Sequence, residues 1–443
     1  MLKDRSFPRF LPALFLIAGA CAQTTVTPPG LTLAQAVDQA LKNNLQAKLA
    51  QERTAESRAQ RGIGLSALLP NVSGAAYQMS LTANLAAEGL TGSTFPGIPA
   101  FIGPYDCFDA RIQVVQSLFN LASIRHYQAT RYGVQLAEQQ RRLAEQQVTT
   151  AASLAYIGVL ETRESVAAAE SNVQLARSLL DLAVNQRNAG IATGLDVARA
   201  ETRLASQQVQ LAQAKTNLDT ARLNLLRVIG SPLGSPLSPA DAMRFDPQPP
   251  PAASDAVRQA LDERLELRVA SEQLRIAETE RKAAMGGWAP SVSAFGNYGS
   301  SGLKPNETDL PTRSIGVRVD LPIFNGGRTR SEVQVATSQV RQAEMQLSDL
   351  KAAVEKDVRQ ALDNLATREE QMRAAQKNLD LAQRELSLAQ DRFRNGVADN
   401  IEVTTAQTEL ENARQIVVSS LAQFNVARLN LYSALGRAGD FTF

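Results

Sequence analysis

Ala221-Arg222-Leu223-Asn224-Leu225 recurs as Ala427-Arg428-Leu429-Asn430-Leu431, 206 positions later. The same offset pairs Gly190 with Gly396, Gly230 with Gly436 and Asp196 with Glu402. It also pairs Val159, Val166, Val173 and Leu180 with Leu365, Met372, Leu379 and Leu386, a seven-residue spacing in both copies. Upstream the offset becomes 220: Ala36-Val37 and Gln39-Ala40-Leu41 match Ala256-Val257 and Gln259-Ala260-Leu261, and Pro70 matches Pro290. So many pairs in register over so much chain indicate a duplicated structural unit. Two long units built alike point to a pseudo-symmetric scaffold more than to an enzyme with one pocket.

Working outward, each copy reads helix, strand, strand, long helix, helix. The first runs through a helix at about 32–64, a strand at about 70–82, a Gly/Pro-rich loop at about 84–108 and a strand at about 109–119. A long helix at about 122–188 follows, then a turn at Asn188-Ala189-Gly190 and a helix at about 196–230. The second copy has a helix at about 253–286, strands at about 289–302 and 312–324, a long helix at about 327–394, a turn at Asn395-Gly396 and a helix at about 402–436. The chain therefore divides into a first repeat, 23–230, a Pro-rich connector, 231–252, expected as exposed extended linker, and a second repeat, 253–443. At 1.5 Å per residue each long helix spans about 100 Å, and the two shorter helices of its repeat match that length end to end. Each half is thus expected as one continuous and one broken column. The heptad residues read as packing knobs between columns.

Composition agrees. The chain has 443 residues, 5% aromatics, one Trp, one His and a net charge of +2, which points to no nucleic acid or other polyanion. Ala, Gln, Leu, Arg and Glu dominate, as in long helices and coiled coils. Residues 1–22 read as an export signal: Lys3, Arg5 and Arg9 precede an apolar stretch from Phe10 to Ala20. Ala20-Cys21-Ala22 fits cleavage before Gln23, and lipidation of Cys21 is the rival reading, with Ala18 standing where a lipoprotein signal usually has Leu. No later stretch has the length and apolarity of a spanning helix.

The strands carry another signal. Ile315, Val317, Val319 and Leu321 alternate with Gly316, Arg318 and Asp320, and Ile112 and Val114 alternate with Arg111 and Gln113. One face is apolar and the other polar, at the length of a tilted transmembrane strand. In an exported chain this suits an outer-membrane barrel with Ile315, Val317 and Val319 towards lipid; a small soluble sheet is the alternative. Four strands do not close a barrel, so closure needs several chains.

Together these features resemble the TolC-type outer-membrane efflux channel family, over about 31–437. The carriers are "Leu-Pro-Asn-Val-Ser" at 69–73 with its copy "Ala-Pro-Ser-Val-Ser" at 289–293, and "Leu-Phe-Asn" at 118–120 with "Leu-Pro-Ile-Phe-Asn-Gly-Gly" at 321–327. The turns "Asn-Ala-Gly-Ile-Ala-Thr-Gly-Leu-Asp-Val" at 188–197 and "Asn-Gly-Val-Ala-Asp-Asn-Ile-Glu-Val" at 395–403 complete the set. The resemblance implies a mainly α protein with antiparallel β. As a homotrimer it would form a 12-stranded barrel in the bacterial outer membrane and a long α-helical barrel through the periplasm. It implies a passive exit duct docked to a periplasmic adaptor protein and an inner-membrane pump; the outer-membrane channel of a type I protein secretion system has the same fold and stays open as an alternative.

No cofactor is implied. No G-x-x-x-x-G-K-[ST], H-E-x-x-H or G-x-S-x-G is present, and His126 reads as an ordinary polar helix position, so no enzyme is expected. The resemblance places Gly190, Ile191, Gly194, Leu195, Gly396, Val397 and Ile401 at helix-turn tips facing the adaptor. It places Asp196, Asp399 and Glu402 at the periplasmic mouth. Locally, Thr193-x-x-Asp196 and Asp399-x-x-Glu402 both read as capping boxes.

Overall fold

The computed structural model describes residues 30–90, 96–395, 397 and 400–443. The expected signal segment with Cys21, and also Gly396 and Asp399, lie outside the described residues. The elements are α1 (Leu33–Asn43), α2 (Leu45–Ser66), β1 (Asn71–Asn84), β2 (Phe101–Phe119), α3 (Leu121–Asn188) and α4 (Gly194–Val228). After the connector come α5 (Ala253–Glu263), α6 (Leu265–Met285), β3 (Ser291–Gly302), β4 (Leu310–Asp320), α7 (Arg328–Arg394) and α8 (Asn400–Ala434).

The long helices form where Pro is absent and capping residues stand ready. Asn120 Oδ1 accepts from Ser123 N at 3.0 Å to open α3, which then runs 68 residues. α7 runs 67. At 1.5 Å per residue each is about 100 Å long. Near the sheet α2 packs on α3, α3 on α6 and α6 on α7; further away α4 packs on α3, α3 on α8 and α8 on α7. The protomer is therefore a wall four columns wide: α2 above α4, then α3, then α6 above α8, then α7.

Both broken columns join in the same way. α4 ends at Gly230, which has a φ of +69° and packs so tightly on Asn43 that a Cβ there would lie 2.8 Å from its carbonyl oxygen. α8 ends at Gly436, against Glu263 and Arg264. These contact points are also where the structure corrects the sequence reading. The helix expected at 32–64 breaks at Asn44 (ψ 137°), and the one expected at 253–286 breaks at Arg264 (ψ 126°). Asn44 spends its side chain on the junction: Nδ2 donates to Val228 O at 2.7 Å and Oδ1 accepts from Gln46 N at 2.8 Å. Arg264 reaches Glu266 at 3.1 Å and Asp357 at 3.2 Å.

Apolar burial is distributed along the wall in patches. The mid-wall patch gathers Tyr156, Ile157, Leu160, Leu225 and Leu429. A second holds Val354, Val358 and Phe424, and a third, near the turns, holds Leu386, Phe393, Val403 and Leu410. Of the heptad residues, Val159, Val173, Leu365, Met372 and Leu386 are buried, and Val166, Leu180 and Leu379 are half-buried.

The sheet is antiparallel in the order β1-β2-β3-β4. β2 begins at Phe101, so the loop expected over 84–108 is shorter than its Gly and Pro suggest; β4 stops at Asp320, short of the expected 324. The connector is not a free linker. Leu31 N donates to Ser238 O at 2.8 Å and Ala240 N to Leu31 O at 2.9 Å, and Met243 is buried. Phe245 meets Phe424 edge-on at 4.9 Å.

Candidate functional site: the sheet and the helix tips

Antiparallel register places paired residues on one face. Val72 pairs with Val114 and Gly74 with Ile112; Val114 pairs with Gly296 and Ile112 with Tyr298. Gly296 pairs with Ile315, Ala294 with Val317 and Val292 with Val319. Ile315, Val317 and Val319 thus belong to an apolar face that continues across all four strands. It is unpartnered: Ile315 is 86% exposed. The opposite face is polar. Ser73, Gln113, Asn297 and Ser314 form one row, with Asn297 Nδ2 donating to Ser314 Oγ at 2.7 Å. Arg111 pairs with buried Asp109, and the Arg318 guanidinium lies 5.5 Å from the Phe295 ring centroid. Of the strand aromatics, Tyr298 shares the apolar face and Tyr77 and Phe295 the polar one. A β-bulge between Ser117 and Phe119 sets Phe119 opposite Val292, on the apolar face.

At the far end of the wall, Gly190 turns the chain with a φ of +78°, and Ile191 N donates to Gln186 O at 2.9 Å. Ile191, Leu195, Val397 and Ile401 are all exposed there, and Gly194 opens α4. The Thr193/Asp196 capping box is present: Thr193 N donates to Asp196 Oδ2 at 2.8 Å, and Asp196 N donates to Thr193 Oγ1 at 3.4 Å. Each described acid stands beside an arginine that the sequence reading did not connect with it. Asp196 lies 3.9 Å from Arg199, and Glu402 lies 3.4 Å from Arg392. A cleft of about 700 Å³ opens between α4 and α8, lined by Leu195, Arg199, Thr202, Arg203, Thr404 and Thr405.

Just above the tips sits a polar cluster that sequence reasoning missed. Glu411 on α8, 8% exposed, ion-pairs with Arg203 on α4 and accepts from Gln207 Nε2 at 3.0 Å and Gln407 Nε2 at 2.9 Å. Burial pushes the Glu411 carboxyl up from its ordinary value, against the pull of Arg203. Arg414 donates to Asn172 Oδ1 at 2.6 Å on α3. Only part of the signal was readable: 203/207 and 407/411 are each an i, i+4 pair of polar residues, but nothing in the repeat sets α4 against α8. His126 also has a partner, Glu280 Oε1 at 3.0 Å, supplied by α6 and so invisible along its own helix. Among the described residues no group of three or more His, Cys, Asp or Glu could hold a metal, and no described helix is long and apolar enough to cross a membrane.

The geometry is that of known outer-membrane channels. The structure of the channel OprN matches with a TM-score of 0.79 at 19% identity, covering 91% of this chain and 90% of that one. The CmeC channel of Campylobacter jejuni matches with 0.77 at 19% identity, covering 97% and 94%. By sequence, the alkaline protease secretion protein AprF of Pseudomonas aeruginosa is 24% identical over 90% of this chain and 81% of its own length. TolC of Escherichia coli is 24% identical over 75% and 70%. The family model described as outer membrane efflux protein matches residues 36–231 and 256–437, both repeats of the duplication. With most of its length inside that match, the chain belongs to the outer membrane efflux protein family.

Proposed function

We infer that this chain is a passive exit duct in the bacterial outer membrane, extending into the periplasm and carrying small molecules outward. The observation that carries the reading is the pairing of an exposed two-faced sheet with a wall of helices about 100 Å long. An apolar face without a partner in the protomer suits lipid, and a polar face suits a water-filled lumen. β1 and β4 leave two strand edges unpaired within the protomer, and such edges are satisfied by closure. The wall has matching edges. Ile63 and Val209 are exposed on the α2/α4 column, and Val335, Met345 and Leu388 on α7. Three chains bring twelve strands, enough for a lumen, so a homotrimer is the assembly proposed.

The exposed apolar tips around Gly190 and Val397 suit docking to a periplasmic adaptor, which would link the duct to an inner-membrane pump that supplies the energy. Asp196, Asp399 and Glu402 would lie around the mouth. The likeness to AprF, named for protease secretion, favours a second reading in which the same duct serves a type I protein secretion system. One strain and one bilayer test both. Purified protein should form discrete ion-conducting channels in a planar bilayer, and a deletion strain should become sensitive to toxic small molecules. Absence of conductance refutes a duct; conductance with unchanged drug sensitivity and a lost exoprotein favours secretion.

A further inference from the structure

The apolar stripe of β4 does not stop where the strand does. Ile315, Val317 and Val319 are followed in the same alternation by Leu321 and Ile323, then Phe324, although hydrogen-bonded pairing ends at Asp320. Ile323 is 93% exposed and Phe324 is 87% exposed, among the most exposed large apolar side chains described. Length decides what covers them. From Ile315 to Val319 is about 13 Å along a strand, and to Ile323 about 26 Å, at roughly 3.3 Å per residue. A tilt of about 40° reduces these to roughly 10 and 20 Å, against an apolar band of about 25 Å in membrane barrels. The apolar part of the paired strand, which begins only after Arg313, falls well short of that band, and Leu321 and Ile323 bring the stripe close to it.

Neighbouring elements add to the same level. Phe119 joins the apolar face at the foot of β2, and exposed Trp288 precedes β3, beside Gly287 packed against Thr329 of α7. Charge follows at once. Arg328 and Arg330 flank buried Thr329 in the first turn of α7. Arg328 lies 3.6 Å from Glu332, whereas Arg330 is exposed and makes no ion pair among the described residues.

We propose that residues 321–330 form a lipid-binding collar. Leu321, Ile323 and Phe324 enter the acyl chains of the periplasmic leaflet, and Arg330 pairs with the phosphate of an anionic phospholipid. The proposal rests on the duct reading, because it takes the apolar face of the sheet as the lipid face. The occupant is phospholipid because this end of β4 is the one joined to the tunnel helices.

Trp288 is the only tryptophan in the chain, which makes the test direct. The full-length protein is placed in liposomes whose lipids carry bromine near the glycerol end of the acyl chain. Trp288 should be quenched, and so should a tryptophan at the collar itself in the Trp288→Phe/Phe324→Trp variant. In detergent, native mass spectrometry compares retained phosphatidylglycerol with phosphatidylethanolamine. Arg330→Gln should lower the preference for phosphatidylglycerol about fivefold, equivalent to about 1 kcal/mol, and Arg328→Gln should not. Protein that inserts and conducts while both tryptophans stay unquenched overturns the collar and leaves the duct intact. Protein that neither inserts nor conducts overturns both. An unchanged preference in Arg330→Gln, or an equal fall in Arg328→Gln, overturns the headgroup assignment.

Discussion

The Tyr156 hydroxyl stands 2.9 Å from Asp241 Oδ2 and ties the connector to the middle of α3. It also donates towards Leu31 O at 2.7 Å and receives Asp241 N at 3.3 Å, while Asp241 Oδ2 accepts from Leu33 N at 2.7 Å at the start of α1. One buried phenol thus joins three separate pieces of chain. Tyr156→Phe keeps the ring, takes the acceptor from Asp241 N and leaves Leu31 O with Ala240 N as its donor. The expected cost is about 1–3 kcal/mol, read as a lower melting temperature and faster proteolysis within 231–252.

The same hydroxyl sets an alkaline limit. Burial first, then the neighbouring Asp241 carboxylate, raise its pKa from 10.0 to about 12. A pKa raised on folding contributes stability that is full below the unfolded value and is lost as pH rises through the folded one. Wild type should therefore lose stability between about pH 10 and 12 more steeply than Tyr156→Phe, which pH-dependent thermal melts will show.

The Arg203–Glu411 pair joins α4 to α8. Glu411→Ala strands Arg203 beside two glutamines that have lost their acceptor, at a cost on the order of 3 kcal/mol. Glu411→Gln keeps an acceptor and should cost less. Burial raises the Glu411 pKa on folding, so its contribution is full below the unfolded value and falls as pH rises through the folded one. Melting temperatures taken from pH 4 upwards should show that slope in wild type and not in Glu411→Gln.

Substitutions on the two faces of the sheet should differ. Val317→Arg puts a charge on the apolar face at a cost of about 2–4 kcal/mol near the membrane midplane and should reduce the amount of protein inserted in outer-membrane fractions. Neutralising Arg318, on the other face, should leave insertion unchanged and alter conductance only. Reversed results would reverse the faces.

At the mouth, capping and selectivity separate by residue. Asp196→Ala removes the acceptor of Thr193 N and should cost about 1 kcal/mol in melting stability without altering ion selectivity. Glu402→Gln, tested in single-channel recordings, should weaken cation preference. An unchanged reversal potential would reduce Glu402 to a local partner of Arg392.

The repeat, the long helices and the strand alternation were legible because each is a periodic signal carried by many residues. Breaks made by single residues were not. Asn44 and Arg264 stand within amphipathic runs, and only the arriving ends of α4 and α8 at Gly230 and Gly436 explain why the helices stop. Phe101 to Phe108 reads as loop because it contains Gly103 and Pro104, yet pairing with β1 makes it strand. The Arg392 partner of Glu402 is not legible because it depends on how α7 and α8 meet, whereas Arg199 follows Asp196 by three residues on α4 and is readable from spacing. The connector reads as a linker from its prolines, and its contacts come from Tyr156 and Phe424 far along the chain.

The two repeat offsets, 220 before the strands and 206 after them, leave the first hairpin 14 residues longer than the second. The excess is divided between a longer β1–β2 connection, residues 85–100 against 303–309, and the longer strands β1 and β2 themselves, at the end of the sheet away from the tunnel. Below that level the halves are near copies, so an assembly of three chains looks almost six-fold from the cell interior. From outside the proposed trimer would be three-fold, with longer and shorter hairpins alternating. The longer hairpin is then the place to insert an epitope tag for counting ducts on living cells.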